Sequence, residues 1–398
     1  MISKNQNTVN LSSDFPLPSS TALIWNFTTG GNVNSVAISS DGNYIVAGSD
    51  DNNTYLFNNT GSITKIPIWK YSTENNVNTV SISSDGNYII TGSYDNHIYL
   101  FNRSKSAPLW NYTMGDVITQ VALSSDGEYI VAGCNDKQIS FHKNDSSTPI
   151  WNFTSSDEIN TVAISSDGNY IVSGSANHKL YLFYRMSNET SWIFTASDNI
   201  NSVAISSDGN FVVAGTKDGY IFLFDRRNYP FPEWSYFTGE TIEMVSISSN
   251  GEYIIAGDTN NMTYFFEKSH SSPLWTYKVG GPVLSVAISS TGKHILVGSE
   301  DNKTYLFDKS NNNPIWSYTT LGRVNSVAIS SNGDYITIGS NDNQTYLFHW
   351  SATIITEEEE DDLDIDFGEQ IISSGNFYLL FIIIGILSLI ILKKKKYL

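Results

Sequence analysis

Six histidines, one cysteine and a long series of aspartates are the side chains with which this 398-residue chain could do chemistry. His97, His142, His178, His270, His294 and His349 fall mostly at different offsets within the repeats described below, so they scatter instead of converging on one metal. No Ser/His/Asp arrangement for nucleophilic attack emerges from them. The single cysteine, Cys134, excludes an intrachain disulfide framework and a thiolate metal cluster. It stands where other units carry Ser49, Ser93, Thr216 or Asp258, a turn-edge position. No catalytic residue, cofactor-binding residue or metal ligand is therefore assigned, and no cofactor is expected.

What these residues are set into is an array. Tryptophan recurs at Trp25, Trp69, Trp110, Trp151, Trp192, Trp234, Trp275 and Trp316, and between successive tryptophans lies a close copy of SVAISSDGNYIVAGSDDNNTYLF, residues 35–57. A period near 41 residues carrying four short runs rich in Val, Ile, Tyr and Phe predicts an all-β, eight-bladed β-propeller of four-stranded antiparallel blades over residues 22–350. In the first unit the strands are expected at 33–39 (a), 44–49 (b), 54–58 (c) and 66–72 (d). Near-continuous apolarity of strands a and b fits sheets covered on both faces. The a–b turn keeps its glycine in every unit, from Asp41-Gly42 to Asn332-Gly333, because a tight hairpin there needs positive φ.

The array begins with a lone tryptophan strand, 21–29, and ends after strand c at 345–348. Pairing Trp25's strand with that last strand c completes blade eight and removes two exposed edges. HWSATII, 349–355, is the alternative closing strand.

The run SSDGNYIVAGSDDNNTYLFN resembles the core of a WD repeat, with Asp41-Gly42 in the a–b turn, Gly48-Ser49 closing strand b and Asp51 in the b–c turn. It departs from that family where Phe57, Phe101, Phe141, Phe183, Phe224, Phe266, Phe307 and Phe348 replace the strand-c tryptophan, and no Gly-His pair precedes strand a. The phrase PIWNFT is similar to quinoprotein-like propellers, whose blades lock through such tryptophans. The adjacent cysteine pair of quinoprotein dehydrogenases is missing. The resemblance implies the fold; it leaves a degenerate quinoprotein-type or metal-dependent enzyme, and a structural cell-surface component, as alternatives to a non-enzymatic interaction platform.

In an antiparallel meander the a–b and c–d turns share one face of the ring, and the b–c turns and d–a connections share the other. The first is nearly constant among the units and collects Lys65, Arg103, Lys105, Lys143, Arg185, Arg226, Arg227, Lys268 and Lys309. The second is varied and acidic, with Asp50, Asp51, Asp95, Asp116, Asp136, Asp157, Glu158, Asp198, Asp218, Glu240, Glu300, Asp301 and Asp342. The second position of strand a reads Asn34, Asn78, Thr119, Asn160, Asn201, Glu243, Leu284 and Asn325. Its polar members form a candidate interaction ring at one mouth of the channel. Protein, peptide or glycan partners are expected on this acidic face of a monomeric ring. With 22 Lys+Arg against 40 Asp+Glu and a formal charge of -18, nucleic acid is not an expected partner.

Outside the ring, residues 1–21 read as a disordered lead-in without a signal peptide, and 351–376, which includes EEEEDDLDID, as an acidic disordered linker. Phe377 to Leu392 are 16 uncharged residues, followed by the basic tail 393–398. A helix of that length rises about 24 Å, which predicts a single-pass C-terminal transmembrane helix with Lys393–Lys396 snorkelling at its end. The lysines favour an extracytoplasmic propeller. A cytosolic, tail-anchored orientation is the alternative.

Overall fold

The computed structural model describes residues 20–60, 65–228 and 231–351. They form eight four-stranded antiparallel sheets. Blade 1 is Val33–Ile38 (a), Tyr44–Ser49 (b), Asn53–Asn58 (c) and Trp69–Ser72 (d). The next six blades repeat the order, so the expected all-β propeller of eight blades is the observed one. Strands a touch one another in a closed circuit, Val33–Ile38 meeting both Val77–Ile82 and Val324–Ile329.

Closure follows the expected strand exchange. The N-terminal strand, Ser20–Thr28, pairs antiparallel with Gln344–Ser351, setting Trp25 opposite Leu347 and Phe27 opposite Thr345. His349 to Ser351 simply prolong strand c, with Trp350 opposite Thr21, so they are not a separate closing strand. Two residues of the expected lead-in thus belong to the ring. The rest of the lead-in, and the linker, membrane span and basic tail expected from 352 onward, lie outside the described residues.

The expected membrane localisation is corrected here: among the described residues no helix is long and apolar enough to cross a membrane.

The core lies in the seams between blades. Leu56 and Trp69 of blade 1 pack with Val77, Val80, Ile89, Tyr99 and Phe101 of blade 2. At the closure, Trp25 and Leu347 pack with Val33, Val36, Ile45 and Phe57 in the same way. Two glycines per blade make this approach possible. In strand b, a Cβ on Gly48 would fall 2.4 Å from Val77 of the next blade. In the a–b turn, Gly86 has φ 69°, and a Cβ there would fall 2.5 Å from the ring of Tyr44 in the preceding blade.

The tryptophans do more than fill space. The indole N–H of Trp69 donates to Arg103 O at 2.8 Å, and Trp110, Trp151, Trp234 and Trp275 donate likewise to Asn144, Arg185, Lys268 and Lys309. A phenylalanine would fill the wedge and leave that carbonyl unpaired. The basic residues of the c–d loops cover strand-b rings of the preceding blade, Arg103 lying 4.5 Å from the Tyr44 centroid and Arg226 3.8 Å from that of Tyr170.

One alignment needs correction. His142 pairs with Ile130 as Phe57 pairs with Ile45, so His142, not Phe141, occupies the phenylalanine position in blade 3. Phe141 holds the place of Leu56.

Candidate functional site

The residues of the candidate ring share a backbone feature that the sequence hides. In every blade the a–b ladder shifts register at the second residue of strand a, as between Val33 and Ser35. Asn34, Asn78, Thr119, Asn160, Asn201, Glu243, Leu284 and Asn325 are therefore bulge residues. A bulge re-aims a side chain. Here it turns the asparagines toward the next blade.

Asn34 Nδ2 donates to Val77 O at 3.1 Å and to Asp50 Oδ1 at 2.7 Å. Asn78, Asn160 and Asn201 donate to Ile118, Ile200 and Ile242 carbonyls at 3.0–3.3 Å. Asn325 closes the circuit onto Val33 O at 3.0 Å. Five ring members are thus staples between blades. Thr119 Oγ1 is buried and makes no such bond, and Glu243, an acceptor when ionised, has nothing to donate.

Asn34, Asn78, Thr119, Asn160, Asn201 and Asn325 do come together, lining one cavity of about 230 Å³ in the channel. Glu243 faces a second cavity of about 470 Å³, with Asn160, Asn199, Asn201, Lys217, Thr241 and Thr259.

Two further tiers tie the blades inside the channel. The third residue of strand a accepts from a backbone N–H of the next blade: Ser35 from Val80, Thr79 from Val121, Gln120 from Val162, Thr161 from Val203, Ser202 from Val245, Ser285 from Val327 and Ser326 from Val36. Deeper, Ser40 N–H donates to Ser84 O, and the series runs on through Ser125, Ser166, Ser207 and Ser249, then from Ser290 through Ser331 back to Ser40. All three tiers lapse at one junction. Between blades 6 and 7, Glu243 replaces the asparagine, Met244 replaces the hydroxyl, and among the described residues Ser249 N–H does not reach Ser290.

Glu243→Asn returns the repeat residue to this seam, adds a donor for Val283 O and removes a half-buried carboxylate whose pKa burial raises. A net inter-blade hydrogen bond contributes about 0.5–1.5 kcal/mol. The urea midpoint of the variant is expected to rise accordingly; an unchanged or lower midpoint contradicts this account of the seam.

On the acidic face, most b–c aspartates are committed to the scaffold. Asp51 accepts from Gly30 N–H at 2.6 Å, Asn53 N–H at 3.1 Å and the Tyr55 hydroxyl at 2.6 Å. Asp301 and Asp342 repeat the pattern with Gly280, Lys303 and Tyr305, and with Leu321, Gln344 and Tyr346. Burial first, and the partner carboxylate second, push the Tyr55 and Tyr305 phenols well above their ordinary range. By contrast Glu74, Glu158 and Glu240 are exposed, and among the described residues their carboxylates make no hydrogen bond or ion pair.

Cys134 is fully buried, its thiol donating to Asp116 O and accepting from Asp136 N–H as Ser49 does with Gly31 and Asp51. Burial pushes it up to about 12, so it stays a thiol at neutral pH. Among the described residues no three His, Cys, Asp or Glu side chains gather to hold a metal.

Comparison with solved structures returns propellers. The chain superposes on the computationally designed Ika8 protein with a TM-score of 0.71 at 14% identity, covering 82% of this chain and 99% of that one. Two structures of Sqt1 from Chaetomium thermophilum align at TM-scores of 0.73 and 0.74, with 15% and 16% identity, covering 83% of this chain and 99% and 98% of theirs. At such identities the likeness establishes the fold alone. No curated protein matches the chain. Residues 22–58 match the WD domain, G-beta repeat, and residues 68–353 match the model described as nucleolar protein 10-like, N-terminal domain. The resemblance to quinoprotein-like propellers finds no support among these matches. The chain belongs to the nucleolar protein 10-like N-terminal domain family, an eight-bladed propeller built of WD repeats.

Proposed function

We propose that this propeller is a non-enzymatic protein-interaction platform that binds protein or peptide partners on the face of its b–c turns and d–a connections. WD-repeat propellers generally bind proteins. The observation that carries the reading here is a difference between the two faces in how charge is used. On the a–b face, burial alone raises the Asp41 carboxyl, yet hydrogen bonds from Ser39 and Asn43 outweigh it and hold the group below the usual carboxylate range. Its neighbours Asp85, Asp167 and Asp208 are held in the same way, and the arginines lie over aromatic rings. That face engages these aspartates and arginines within its own scaffold. The opposite face keeps Glu74, Glu158 and Glu240 exposed and unpaired among the described residues, while its aspartates hold the loops that carry them.

In this reading the candidate ring serves two ends. Asn34, Asn78, Asn160, Asn201 and Asn325 keep the mouth of the channel in shape, and Glu243 is the member left to meet a partner. Unpaired carboxylates on a rigid rim favour a basic partner surface and speed its encounter.

The test is the triple charge reversal Glu74→Lys, Glu158→Lys, Glu240→Lys in the full chain, with partners captured from cell extract and quantified by mass spectrometry. Melting is expected to stay within about 1 °C, because exposed unpaired charges contribute little to stability. Recovery of basic partners is expected to fall about tenfold. An unchanged set of partners at unchanged recovery contradicts the proposal.

A further inference from the structure

Because the eight blades are copies, each can serve as the control for the others, and blades 5 and 6 depart from the repeat at several positions on the face just described. The first residue of strand c lies opposite the last residue of strand d in every blade. The pairs are Asn53 with Ser72, His97 with Thr113, Gln138 with Thr154, Lys179 with Thr195, Met262 with Lys278, Lys303 with Thr319 and Gln344 with Thr28. Each contains at least one polar residue. In blade 5 the pair is Tyr220 with Phe237. Their ring centroids are 4.8 Å apart, and Phe237 is left 58% exposed.

Nothing in the scaffold asks for this exposure. Beneath the pair, Phe222 stands where Tyr55, Tyr99, Tyr181, Tyr264, Tyr305 and Tyr346 stand elsewhere, so blade 5 forgoes the phenol bond to the b–c aspartate. Asp218 turns instead to the hydroxyls of Ser197 and Thr216. Gly219, at φ 95°, lets the b–c turn lie against the d–a connection, where a Cβ would fall 2.8 Å from Glu240 N. On the channel side of that turn is the 470 Å³ cavity bounded by Lys217, Thr241 and Glu243. Departures that forgo scaffold bonds and cluster on one surface are what a binding site looks like when stability is traded for function.

The chemistry of the sector selects its occupant. An exposed Phe237 beside a half-buried Tyr220 takes up a large apolar side chain. Around it stand Asp218, Glu240 and Glu243 beside Lys217, with Lys179 and Lys278 at the equivalent strand ends of the flanking blades, and no ion pair joins Lys217 to Glu243 among the described residues. A cavity of this size, with a carboxylate in its wall, admits a long cationic side chain. Resting on the reading of this face as the interaction face, we infer that blades 5 and 6 bind a peptide segment that lays an aromatic or aliphatic side chain on Tyr220 and Phe237 and sends a nearby lysine or arginine into the cavity to meet Glu243.

The test uses the full chain and a library of fluorescein-labelled nonapeptides, each with one fixed aromatic or leucine residue and Arg, Lys, Gln or Glu at every other position in turn, read by fluorescence polarisation. Phe237→Thr, Tyr220→Gln and Glu243→Asn install residues that other blades use at the same positions, so each is expected to melt no lower than the parent chain. Peptides carrying Arg or Lys are expected to bind about tenfold more tightly than their Glu counterparts, and Phe237→Thr and Glu243→Asn each to weaken them about tenfold. Glu158→Lys, in the blade 3 to 4 connection, is expected to change binding by less than about twofold. Binding that ignores Phe237→Thr and Glu243→Asn but falls with Glu158→Lys overturns this sector while leaving the platform in place. Absence of binding by any library peptide also overturns the sector, and the partner capture above then decides separately whether the platform survives.

Discussion

Replacing Trp25 by alanine is expected to cost about 3–5 kcal/mol and to free the two ends of the ring from each other. Trp25 is fully buried, 5.0 Å by ring centroids from Phe57, and it joins the closing strand through Leu347 to blade 1 through Val33, Val36 and Ile45. Trp151, by comparison, is also buried and donates its indole N–H to Arg185 O at 2.9 Å. Among the described residues the Trp25 indole N–H has no acceptor, so its contribution is packing, with the Lys65 ammonium 5.4 Å from its ring. By local interactions alone, Trp151→Ala looks the costlier change. The covalent chain reverses that order for ring integrity. Blade 4 follows blade 3 through the backbone whatever happens to Trp151, whereas the N-terminal strand is held to Gln344–Ser351 by pairing and packing only. Trp25→Ala is therefore expected to expose the N-terminal strand to protease under conditions where Trp151→Ala stays intact. Equal protection of that strand in the two variants would contradict this account of closure.

The second large effect is an acid response carried by one residue. His142 occupies a phenylalanine position, is fully buried, and packs against Trp110 at 5.4 Å and edge-on to Tyr112 at 4.8 Å. Among the described residues neither ring nitrogen has a hydrogen-bond partner of ordinary geometry. Burial pushes its pKa down to about 4, with the backbone of Ser147 opposing weakly. Because the folded state resists protonation more than the unfolded chain does, the unfolded state binds the extra proton between the ordinary value of 6.5 and about 4. Stability from this residue is thus whole above pH 6.5 and is lost as the pH falls, by roughly 3 kcal/mol when the folded pKa is reached. His142→Phe is expected to raise the urea midpoint at pH 7 and to flatten its decline between pH 7 and 5. His294, with burial and then Lys293 lowering its pKa, leaves a smaller residual slope. A variant whose decline matches the parent would show that His142 does not titrate as its surroundings dictate.

How far the sequence reaches depends on how local the cause is. Blade number, strand order and closure were legible because the tryptophan period, the constant a–b glycine and the lone first strand are all properties of neighbouring residues. The clasp of Tyr44 between Gly86 and Arg103 was not, since those groups meet only after two blades have docked. The inter-blade bonds of the asparagine ring are hidden for a related reason. A register shift in the a–b ladder leaves no trace in residue types, yet it brings Asn34 to Val77 O. His142 was hidden by composition: QISFHK lacks the tyrosine that marks strand c elsewhere, so aligning it by its phenylalanine moved the strand one place. The aspartates of the acidic face could be read as turn caps, but which carboxylates remain unspent is decided by contacts across the d–a connections.

The central claim is a single closed ring in which the seam between blades 6 and 7 is the one where all three tiers of inter-blade bonds lapse together. Native-state hydrogen exchange of the full chain tests it most directly. The account predicts that amides of Trp25 and Phe27 exchange as slowly as those of Trp69 and Tyr71, their counterparts in strand d of blade 1, and that the Val286 amide, facing Met244 instead of a hydroxyl, exchanges faster than its counterparts Val36, Val80 and Val327. An N-terminal strand exchanging ahead of every other, with Val286 as protected as the rest, would contradict it.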